Sequence, residues 1–463
     1  MRDLVADRAV AAVLAEHVEG WLVPDDAVWE GGGMATDVGI IGSGVVGAST
    51  ALALAQAGHR VVVLDKAAGP GYGSTSASSA IIRFNYSTWE GVAAAWESRF
   101  RWDAWADHLG GTDPAGMARF SRCGMLFLDV PLAPWERSAA LFDRAGIPWE
   151  RWESADLHSR MPWLDTGAYY PPQPVTSEAF GDDATGSIGA IWTPDAGYVD
   201  DPRLAAANLA WAARRAGAEF RYRETVTGIS RVGERWAVRT GEHPAYEFGV
   251  LVNAAGPWSG AVNEMCGAAT DFTIATRPLR QEVNHVPGPA GVARGDVPII
   301  SDMDLGTYVR PEPTGAILVG GTEPECDPLE WIQDPDGIFP GVTRERYEAQ
   351  TTRAARRLPT LTVPNRPSGI AGVYDVADDW TPIYDRTALP GYYVAMGTSG
   401  NQFKNAPLVG DLMARIIGAV EAGHEHDASP LHYTCPHTGH ILNLGAFSRR
   451  RTPNPDNSGT VMG

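Results

Sequence analysis

Hydrophobic residues between positions 37 and 65 follow two periodicities, which predict a strand, a helix and a second strand. Residues 37–41 and 59–65 are short apolar runs typical of buried strands, and the second run ends on an acidic residue. Residues 45–57 follow a glycine-rich turn and carry small and apolar side chains, which predicts a helix. The stretch 38–58 contains no charge and is long enough for a membrane span. Its glycines and serines favour the strand, turn and helix instead.

The rest of the chain alternates between predicted helices and strands, which is typical of an α/β fold. Further helices are predicted over 91–115, 202–216, 344–357 and 402–421. Strands are predicted over 220–223, 235–240, 250–253 and 392–395, with a strand-like alternation through 276–325. The Pro- and Trp-dense segment 131–195 suggests an irregular lobe, and the residues beyond 423 form a polar tail. Residues 1–35 are predicted to be a separate extension, in which Met34 is a candidate natural start.

Composition narrows the classes of function. The chain has 463 residues and a net charge of −19, which argues against nucleic-acid or polybasic membrane-surface binding because both need positive charge. Its four cysteines are scattered without metal-ligand spacing, which favours reduced thiols and no metal site. Charged residues at positions 3, 7 and 8 exclude an apolar signal-peptide core at this end. These features predict a cytoplasmic protein.

The turn after the first strand is a GxGxxG element, formed by Gly42, Ser43, Gly44, Val45, Val46 and Gly47. The first glycine permits the tight turn, the second lets backbone approach a pyrophosphate, and the third lets helix pack on strand. The helix N-terminus supplies N–H groups for the phosphates. Asp65 follows the last glycine by 18 residues, close to the spacing of the acid that binds a ribose 2′-hydroxyl. The sequence therefore predicts a dinucleotide site.

Two later landmarks bear on whether the dinucleotide is FAD or NAD. Residues 252–258 read VNAAGPW, and residues 397–404 read GTSGNQFK at the start of a predicted helix. The positive end of that helix suits the negative charge that a reduced flavin develops. On physical grounds alone this is compatible with a flavin without proving one.

The order of these motifs resembles the superfamily of FAD enzymes that contains D-amino-acid oxidase, glycine oxidase and sarcosine oxidase. The resemblance covers about residues 36–422. It is carried by the segments DVGIIGSGVVGASTALALAQAGHRVVVLDK, GSTSASSAIIR, VNAAGPWS, TYVRPEPTGAILVGG, AGVYDVADDWTPIYD and GTSGNQFK.

The resemblance implies an α/β fold in two domains: a Rossmann-like FAD-binding domain and an α+β substrate domain with a mixed, mostly antiparallel sheet. We expect the first from residues 36–115, 196–275 and 370–422, and the second from 116–195 and 276–369, followed by a tail at 423–463. Besides the six residues of the turn and Asp65, the resemblance implies FAD contacts from Lys66, Ser74, Thr75, Val226, Ala255, Gly256, Gly397, Ser399, Gly400, Gln402, Phe403 and Lys404.

At the substrate end, Arg83 closes an IIR segment similar to that of monomeric sarcosine oxidases, where the arginine holds the substrate carboxylate. Lys404 matches the lysine of the SGxxFK loop, which joins the same clamp. Two cations on one carboxylate would fix a small amino acid for reaction. Alternatively, Arg83 pairs with an acid or a flavin phosphate, and Lys404 serves the flavin edge or oxygen activation.

The chain departs from its relatives at two positions. Tyr374 stands where D-amino-acid and glycine oxidases carry an arginine, which favours the sarcosine and dimethylglycine branch. Ala77 stands where dimethylglycine dehydrogenases carry the histidine that bonds FAD covalently, so non-covalent FAD is expected.

His285 and Tyr308 are further candidates for the cavity. Alternate residues of a strand share one face, which places His285 with Gln281 and Tyr308 with Arg310. An ordinary structural role is the alternative for both candidates.

Together these features predict an FAD-dependent enzyme that oxidises the C–N bond of a small amino acid or N-alkyl amino acid. The resemblance implies hydride transfer to flavin N5 and hydrolysis of the imine, with O₂ or an electron-transfer partner as the acceptor. Two alternatives remain open: an FAD-binding subunit of a heteromeric amine or opine dehydrogenase, and an NAD(P)H-dependent flavin hydroxylase.

Overall fold

Residues 36–65 fold as their sequence pattern predicts. The computed structural model describes residues 36–241, 244–455 and 457–462. The strand Thr36–Ile41 leads into the helix Val45–Gln56 and then into the strand Val61–Asp65. The uncharged stretch 38–58 is thus divided between a strand and a helix. Within the described ranges, no helix is both long and apolar enough to cross a membrane. The predicted extension at 1–35 lies outside these residues.

The first sheet has eight strands and a mixed topology. Its central strand Thr36–Ile41 pairs in parallel with Val61–Asp65 on one side and with Tyr246–Asn253 on the other. The remaining members are Glu219–Tyr222, Val226–Val232, Arg235–Thr240, Ile383–Arg386 and Tyr392–Met396. The run from Val226 to Asn253 is an antiparallel meander, while Tyr392–Met396 returns parallel to Tyr246–Asn253. This is the expected Rossmann-like sheet.

The second sheet has nine strands and is mostly antiparallel. Along its main path the strands are Glu330–Trp331, Thr276–Pro287, Ala316–Gly321, Thr307–Pro311, Ile299–Asp302, Met125–Leu128, Ala190–Thr193 and Glu150–Trp152. Gly369–Ala377 pairs with Thr276–Pro287 along nine positions. Ile299–Asp302 and Met125–Leu128 run parallel. The predicted mixed, mostly antiparallel sheet is confirmed. The strand Gly369–Ala377 joins this sheet although we assigned residues 370–422 to the other domain, and the domain boundaries stay a prediction.

Helices and short strands surround the two sheets. The described α-helices are Val45–Gln56, Trp89–Asp103, Trp105–His108, Trp135–Ala145, Ser154–Arg160, Pro202–Arg215, Ser259–Glu264, Arg344–Arg357 and Ala406–Glu421. The short strands are Ile81–Ile82, Phe120–Arg122, Gly167–Ala168, Gly186–Ser187, Gly197–Val199, His432–Thr434 and Ile441–Asn443. One helix prediction was wrong in extent, and the prediction of an irregular lobe missed a helix. The helix expected over 91–115 stops at His108 before Gly110 and Gly111, and the lobe expected to be irregular contains Trp135–Ala145, which buries Ala139 and Phe142.

The first helix is held between two others. Val45–Gln56 packs against Pro202–Arg215 and Ala406–Glu421. At the second contact a Cβ on Gly410 would lie 2.3 Å from the carbonyl oxygen of Ser49, so only glycine permits this approach. The Gly410 N–H donates to Ser49 Oγ at 3.2 Å. The helix that starts at the glycine turn is therefore fixed along its length by two distant parts of the chain.

The segment 423–462, expected to be a polar tail, packs against the first sheet and its helices. Leu442, Leu444 and Phe447 are buried there. The guanidinium of Arg449 is buried and donates to the carboxylates of three aspartates, Asp271, Asp385 and Asp427. Because buried charges need partners, this cluster ties the segment to the strand that contains Asp385.

We expect Arg449→Met to lower the free energy of unfolding by about 3–5 kcal/mol, because it leaves the fully buried Asp385 without its cation. Arg450→Met is the matched control. The Arg450 side chain is 56% exposed and lies 3.7 Å from Asp427, so its loss should cost about 0–1 kcal/mol. Urea denaturation of both variants at neutral pH measures the difference. Equal losses would contradict the role given to the cluster.

Candidate active site

The glycine turn joins the first strand to the first helix under tight steric limits. Gly42 has a φ of +102°, and a Cβ there would lie 2.4 Å from the carbonyl oxygen of Ala254. A Cβ on Gly47 would lie 2.0 Å from the carbonyl oxygen of Gly42. Backbone therefore contacts backbone at both positions, as the motif predicts.

The middle glycine of the turn has a different role. A Cβ on Gly44 would have only Thr75 Oγ1 in reach, at 3.3 Å, and the backbone there is extended. The folded chain alone would thus admit a small side chain at this position. Gly44 lines the large cavity, directly before the N-terminus of the helix Val45–Gln56. Open space beside helix N–H groups fits the pyrophosphate of a dinucleotide.

Asp65 ends the second strand and faces the same turn. One of its oxygens accepts the Ser43 N–H at 2.6 Å and the Ser43 hydroxyl at 2.7 Å. The other accepts the Ala67 N–H at 2.8 Å. A carboxylate has about four lone-pair sites, so Asp65 can still accept a hydrogen bond from a ribose hydroxyl. Asp65 also lines the cavity.

The cavity has a volume of about 850 Å³, near the upper end of the usual range for ligand pockets. It extends from the glycine turn to Arg83 and the loop before the helix Ala406–Glu421. Most predicted cofactor residues line it: Gly42, Gly44, Val45, Val46, Asp65, Lys66, Ser74, Thr75, Val226, Ala255, Gly256, Gly400, Gln402, Phe403 and Lys404. The structure brings these residues together from widely separated parts of the chain.

Four predicted cofactor residues do not line the cavity and instead support its wall. Ser43 is fully buried and holds Asp65, and Gly47 packs against the turn. The Gly397 N–H donates to the Asp375 carboxylate at 2.6 Å, and the Ser399 N–H donates to the Asp375 carbonyl at 2.7 Å. Burial raises the pKa of Asp375 to about 7. The prediction did not include Asp375, which fixes the loop that carries Gly400 and Gln402.

Lys66 closes one side of the cavity. Its Nζ lies 2.5 Å from Asp336 and 3.9 Å from the centre of the Trp258 ring. The Trp258 indole N–H also donates to Asp336, at 3.1 Å. All three residues line the cavity. The sequence analysis did not connect Asp336 with the site.

Two basic side chains, Arg83 and Lys404, line the end of the cavity away from the glycine turn. Arg83 is buried, and its guanidinium donates to the carbonyl oxygens of Asn85 and Val461, the latter at 2.6 Å. The Lys404 ammonium donates to the Asn401 carbonyl at 2.6 Å and to the Tyr86 hydroxyl at 3.2 Å.

No ion pair to either cation occurs among the described residues. Burial lowers the pKa of Arg83. Burial and then the nearby Arg83 charge hold the pKa of Lys404 well below its ordinary value. A buried cation without an anion is unfavourable, so this wall is suited to a ligand carboxylate.

The two candidates predicted on strands, His285 and Tyr308, lie in different surroundings. Tyr308 lines the cavity, and its hydroxyl lies 2.7 Å from Ser79 Oγ. Burial raises its pKa to about 12. His285 is exposed and faces Glu312 at 3.8 Å, outside the cavity. Gln281, on the same strand, does line the cavity. His285 lies four residues, or about 13 Å, further along the strand, beyond the edge of the cavity.

The sequence analysis missed Glu323, which follows the strand Ala316–Gly321 by two residues. Gln281 donates to Glu323 Oε1 at 3.0 Å, and the Val461 N–H donates to Oε2 at 2.8 Å. Burial raises the pKa of this carboxyl group to about 8. Its backbone has a φ of +52°, which is uncommon outside glycine. The available signal was an acidic residue two positions after the TYVRPEPTGAILVGG segment.

Tyr374 also lines the cavity. Its ring lies against Gly400, where a Cβ would be 2.4 Å from the ring. Burial raises the pKa of its hydroxyl well above the ordinary value, and Tyr308 and Glu323 add to this effect. Tyr374 therefore contributes a neutral phenol to this wall.

Comparisons with known proteins agree with this geometry. Residues 37–416 match the model of a family described as DAO, FAD dependent oxidoreductase. The glycine oxidase of Geobacillus kaustophilus is 26% identical over 403 residues, which cover 84% of this chain and 94% of that protein. The mitochondrial dimethylglycine dehydrogenase of Homo sapiens is 24% identical over 219 residues, or 45% of this chain and 25% of that protein. The leaning toward the sarcosine and dimethylglycine branch thus stays a prediction.

The crystal structure of L-proline dehydrogenase from P. horikoshii has a similar fold. It superposes with a TM-score of 0.70 at 22% identity and covers 90% of this chain and 97% of that one. The fold, the lined cavity and a family match over most of the chain point to the same conclusion. This chain belongs to the family of FAD-dependent oxidoreductases that the DAO model describes.

Proposed function

We propose that this enzyme oxidises the C–N bond of a small amino acid or N-alkyl amino acid, whose carboxylate is bound by Arg83 and Lys404. The proposal rests chiefly on these two buried cations. They line one cavity with the glycine turn, and among the described residues neither forms an ion pair with a carboxylate. A substrate carboxylate would supply the missing anion.

Family membership implies FAD, and the residues around the turn fit it. Gly44 leaves open space for the pyrophosphate, the helix Val45–Gln56 presents its N-terminus there, and Asp65 can accept a ribose hydroxyl. When bound, FAD supplies the two-electron acceptor for the reaction. Among the described residues no histidine or cysteine lines the cavity, which supports the proposal that FAD is bound without a covalent bond to such a residue.

The chain's own part in the reaction is binding and orientation. Arg83 and Lys404 hold the carboxylate, while the rings of Tyr308 and Tyr374 form the walls beside them. Burial keeps both phenols neutral, so they present hydrogen bonds and no charge. Fixing a small substrate in one orientation accounts for a large part of the rate increase in such enzymes. Oxidation of the C–N bond leaves an imine, which water hydrolyses.

The name of the relative from Geobacillus kaustophilus, a glycine oxidase, supports an amino-acid substrate and O₂ as a plausible acceptor. A preference for sarcosine-like secondary amines and a cytoplasmic location remain predictions.

The direct test is anaerobic titration of the purified protein, followed by its visible flavin spectrum. The panel is sarcosine, dimethylglycine, proline, glycine, D- and L-amino acids, and NADH. Bleaching by a carboxylated amine is expected, and admission of air then separates oxidase from dehydrogenase. Bleaching by NADH alone would replace the proposal with a hydroxylase. Activity only in the presence of a partner chain would favour a subunit of a heteromeric dehydrogenase.

We expect Gly44→Val to fold but to lack FAD, because the added methyl groups would occupy the space of the pyrophosphate while the extended backbone accepts valine. Absorbance of the purified protein and circular dichroism report the two properties. Gly418→Val is the matched control, since a Cβ there has open space on the last long helix. A Gly44→Val protein that is as yellow as the wild type would refute the assignment.

Arg83→Ala should lower kcat/KM for carboxylated amines at least about 30-fold, mainly through KM, because the variant loses a buried charge pair worth about 2 kcal/mol or more. The spectrum of the bound flavin should stay close to that of the wild type. A carboxylate-free amine such as N-methylbenzylamine is the control substrate. An equal loss on that amine would show that Arg83 has another role.

A further inference from the structure

The described end of the chain enters the substrate side of the cavity. Val461 and Met462 line it, and both are almost completely buried. The segment 457–462 is folded into tight turns, in which Thr460 Oγ1 accepts the Met462 N–H at 3.1 Å and Asn457 accepts the Gly459 N–H at 2.6 Å. It therefore covers the space beside Arg83.

One residue of this segment bridges two ionisable side chains, Glu323 and Arg83. The Val461 N–H donates to Glu323 Oε2 at 2.8 Å, and the Val461 carbonyl accepts from the Arg83 guanidinium at 2.6 Å. These two main-chain groups are separated by a single Cα. An α-amino acid presents its nitrogen and its carboxylate with the same separation. The distance between Glu323 and Arg83 is thus spanned by one amino-acid backbone.

The surroundings of Glu323 suit a charged or N–H-bearing partner. Its first oxygen is held by Gln281, and its second is directed at Val461. Burial of this carboxyl group is unfavourable unless a donor or cation meets it. The raised pKa of Glu323 reflects that burial, which the Val461 N–H and then the Arg346 and Arg83 charges only partly offset. A single peptide N–H compensates a buried carboxylate less well than an ammonium group does.

We propose that Glu323 binds the amino group of the substrate opposite Arg83, and that the segment 457–462 occupies this amino-acid site with the main chain of Val461 until the substrate displaces it. The inference rests on the proposed function and specifies its substrate as an amine and a carboxylate on one carbon. Glu323 acts here as a binding residue.

The test of Glu323 uses binding, so that it does not depend on turnover. Isothermal titration calorimetry of the FAD-loaded protein compares acetate, which has a carboxylate alone, with betaine, which adds a permanent ammonium charge and has no removable N–H. Glu323→Gln should weaken betaine binding about tenfold and leave acetate binding equal or tighter. Glutamine keeps an acceptor for the Val461 N–H. An unchanged ratio of the two dissociation constants would overturn the role of Glu323.

The test of the occupying segment removes the hydrogen bond from the Val461 N–H to Glu323. Val461→Pro removes the N–H, whereas Val461→Ala keeps it and trims the side chain. Acetate and betaine should each bind about tenfold more tightly to the proline variant than to the alanine variant. A chain shortened after Asn457 should bind at least as tightly as the proline variant. Equal affinities in all these proteins would overturn the occupancy.

These experiments distinguish a failure of the proposed reaction from a failure of the proposed amine-binding role of Glu323. Suppose that no amine reduces the flavin but that Glu323→Gln changes the ratio of the betaine and acetate dissociation constants. The proposed reaction is then wrong, while Glu323 is still supported as the amine-binding residue. If amino acids reduce the flavin while the ratio does not respond, the reaction stands and Glu323 is not the amine-binding residue.

Discussion

The arrangement of the whole site depends on a contact between backbone segments at the turn after the first strand. A side chain at Gly42 would collide with the carbonyl of Ala254, and one at Gly47 would collide with Gly42 itself. Through this contact the helix Val45–Gln56 starts directly at the carboxyl ends of two parallel strands, Thr36–Ile41 and Tyr246–Asn253. In open α/β sheets, ligands bind at such strand ends. The cavity opens there, and Gly44 keeps its entrance free of side chains.

Buried charge organises the opposite end of the cavity. Arg83 and Lys404 are held by carbonyl groups and a phenol, and Glu323 is held by an amide and a peptide N–H. These neutral partners orient the ionisable groups without supplying a counter-charge. A ligand carboxylate beside Arg83 and Lys404 would supply one. The ring of Tyr374, which burial keeps neutral, adds no charge to this wall.

Parts of the chain that are remote in sequence complete the cavity. Asp375 lies at the end of a strand in the second sheet, yet it fixes the loop that carries Gly400 and Gln402. Beyond the last long helix, the chain is tied down by the buried Arg449 and then reaches the substrate side at Val461. The two sheets are thus coupled at the site. A change in the position of the 457–462 segment would act directly on the space available to the substrate.

Local pattern alone determined the glycine turn, the elements on either side of it and the acidic residue that ends the second strand, because each depends on near neighbours in sequence. The resemblance also singled out Arg83 and Lys404, and strand alternation singled out Tyr308; the structure places all three on the cavity wall, while their roles stay a prediction. The sequence could not show that His285 lies beyond the cavity, since strand alternation gives a face but not a position along it. Nor could it find Glu323, Asp375 or the approach of Val461 to Arg83. Those contacts join residues up to several hundred positions apart, and only the packing of the two sheets and the returning chain brings their charges together.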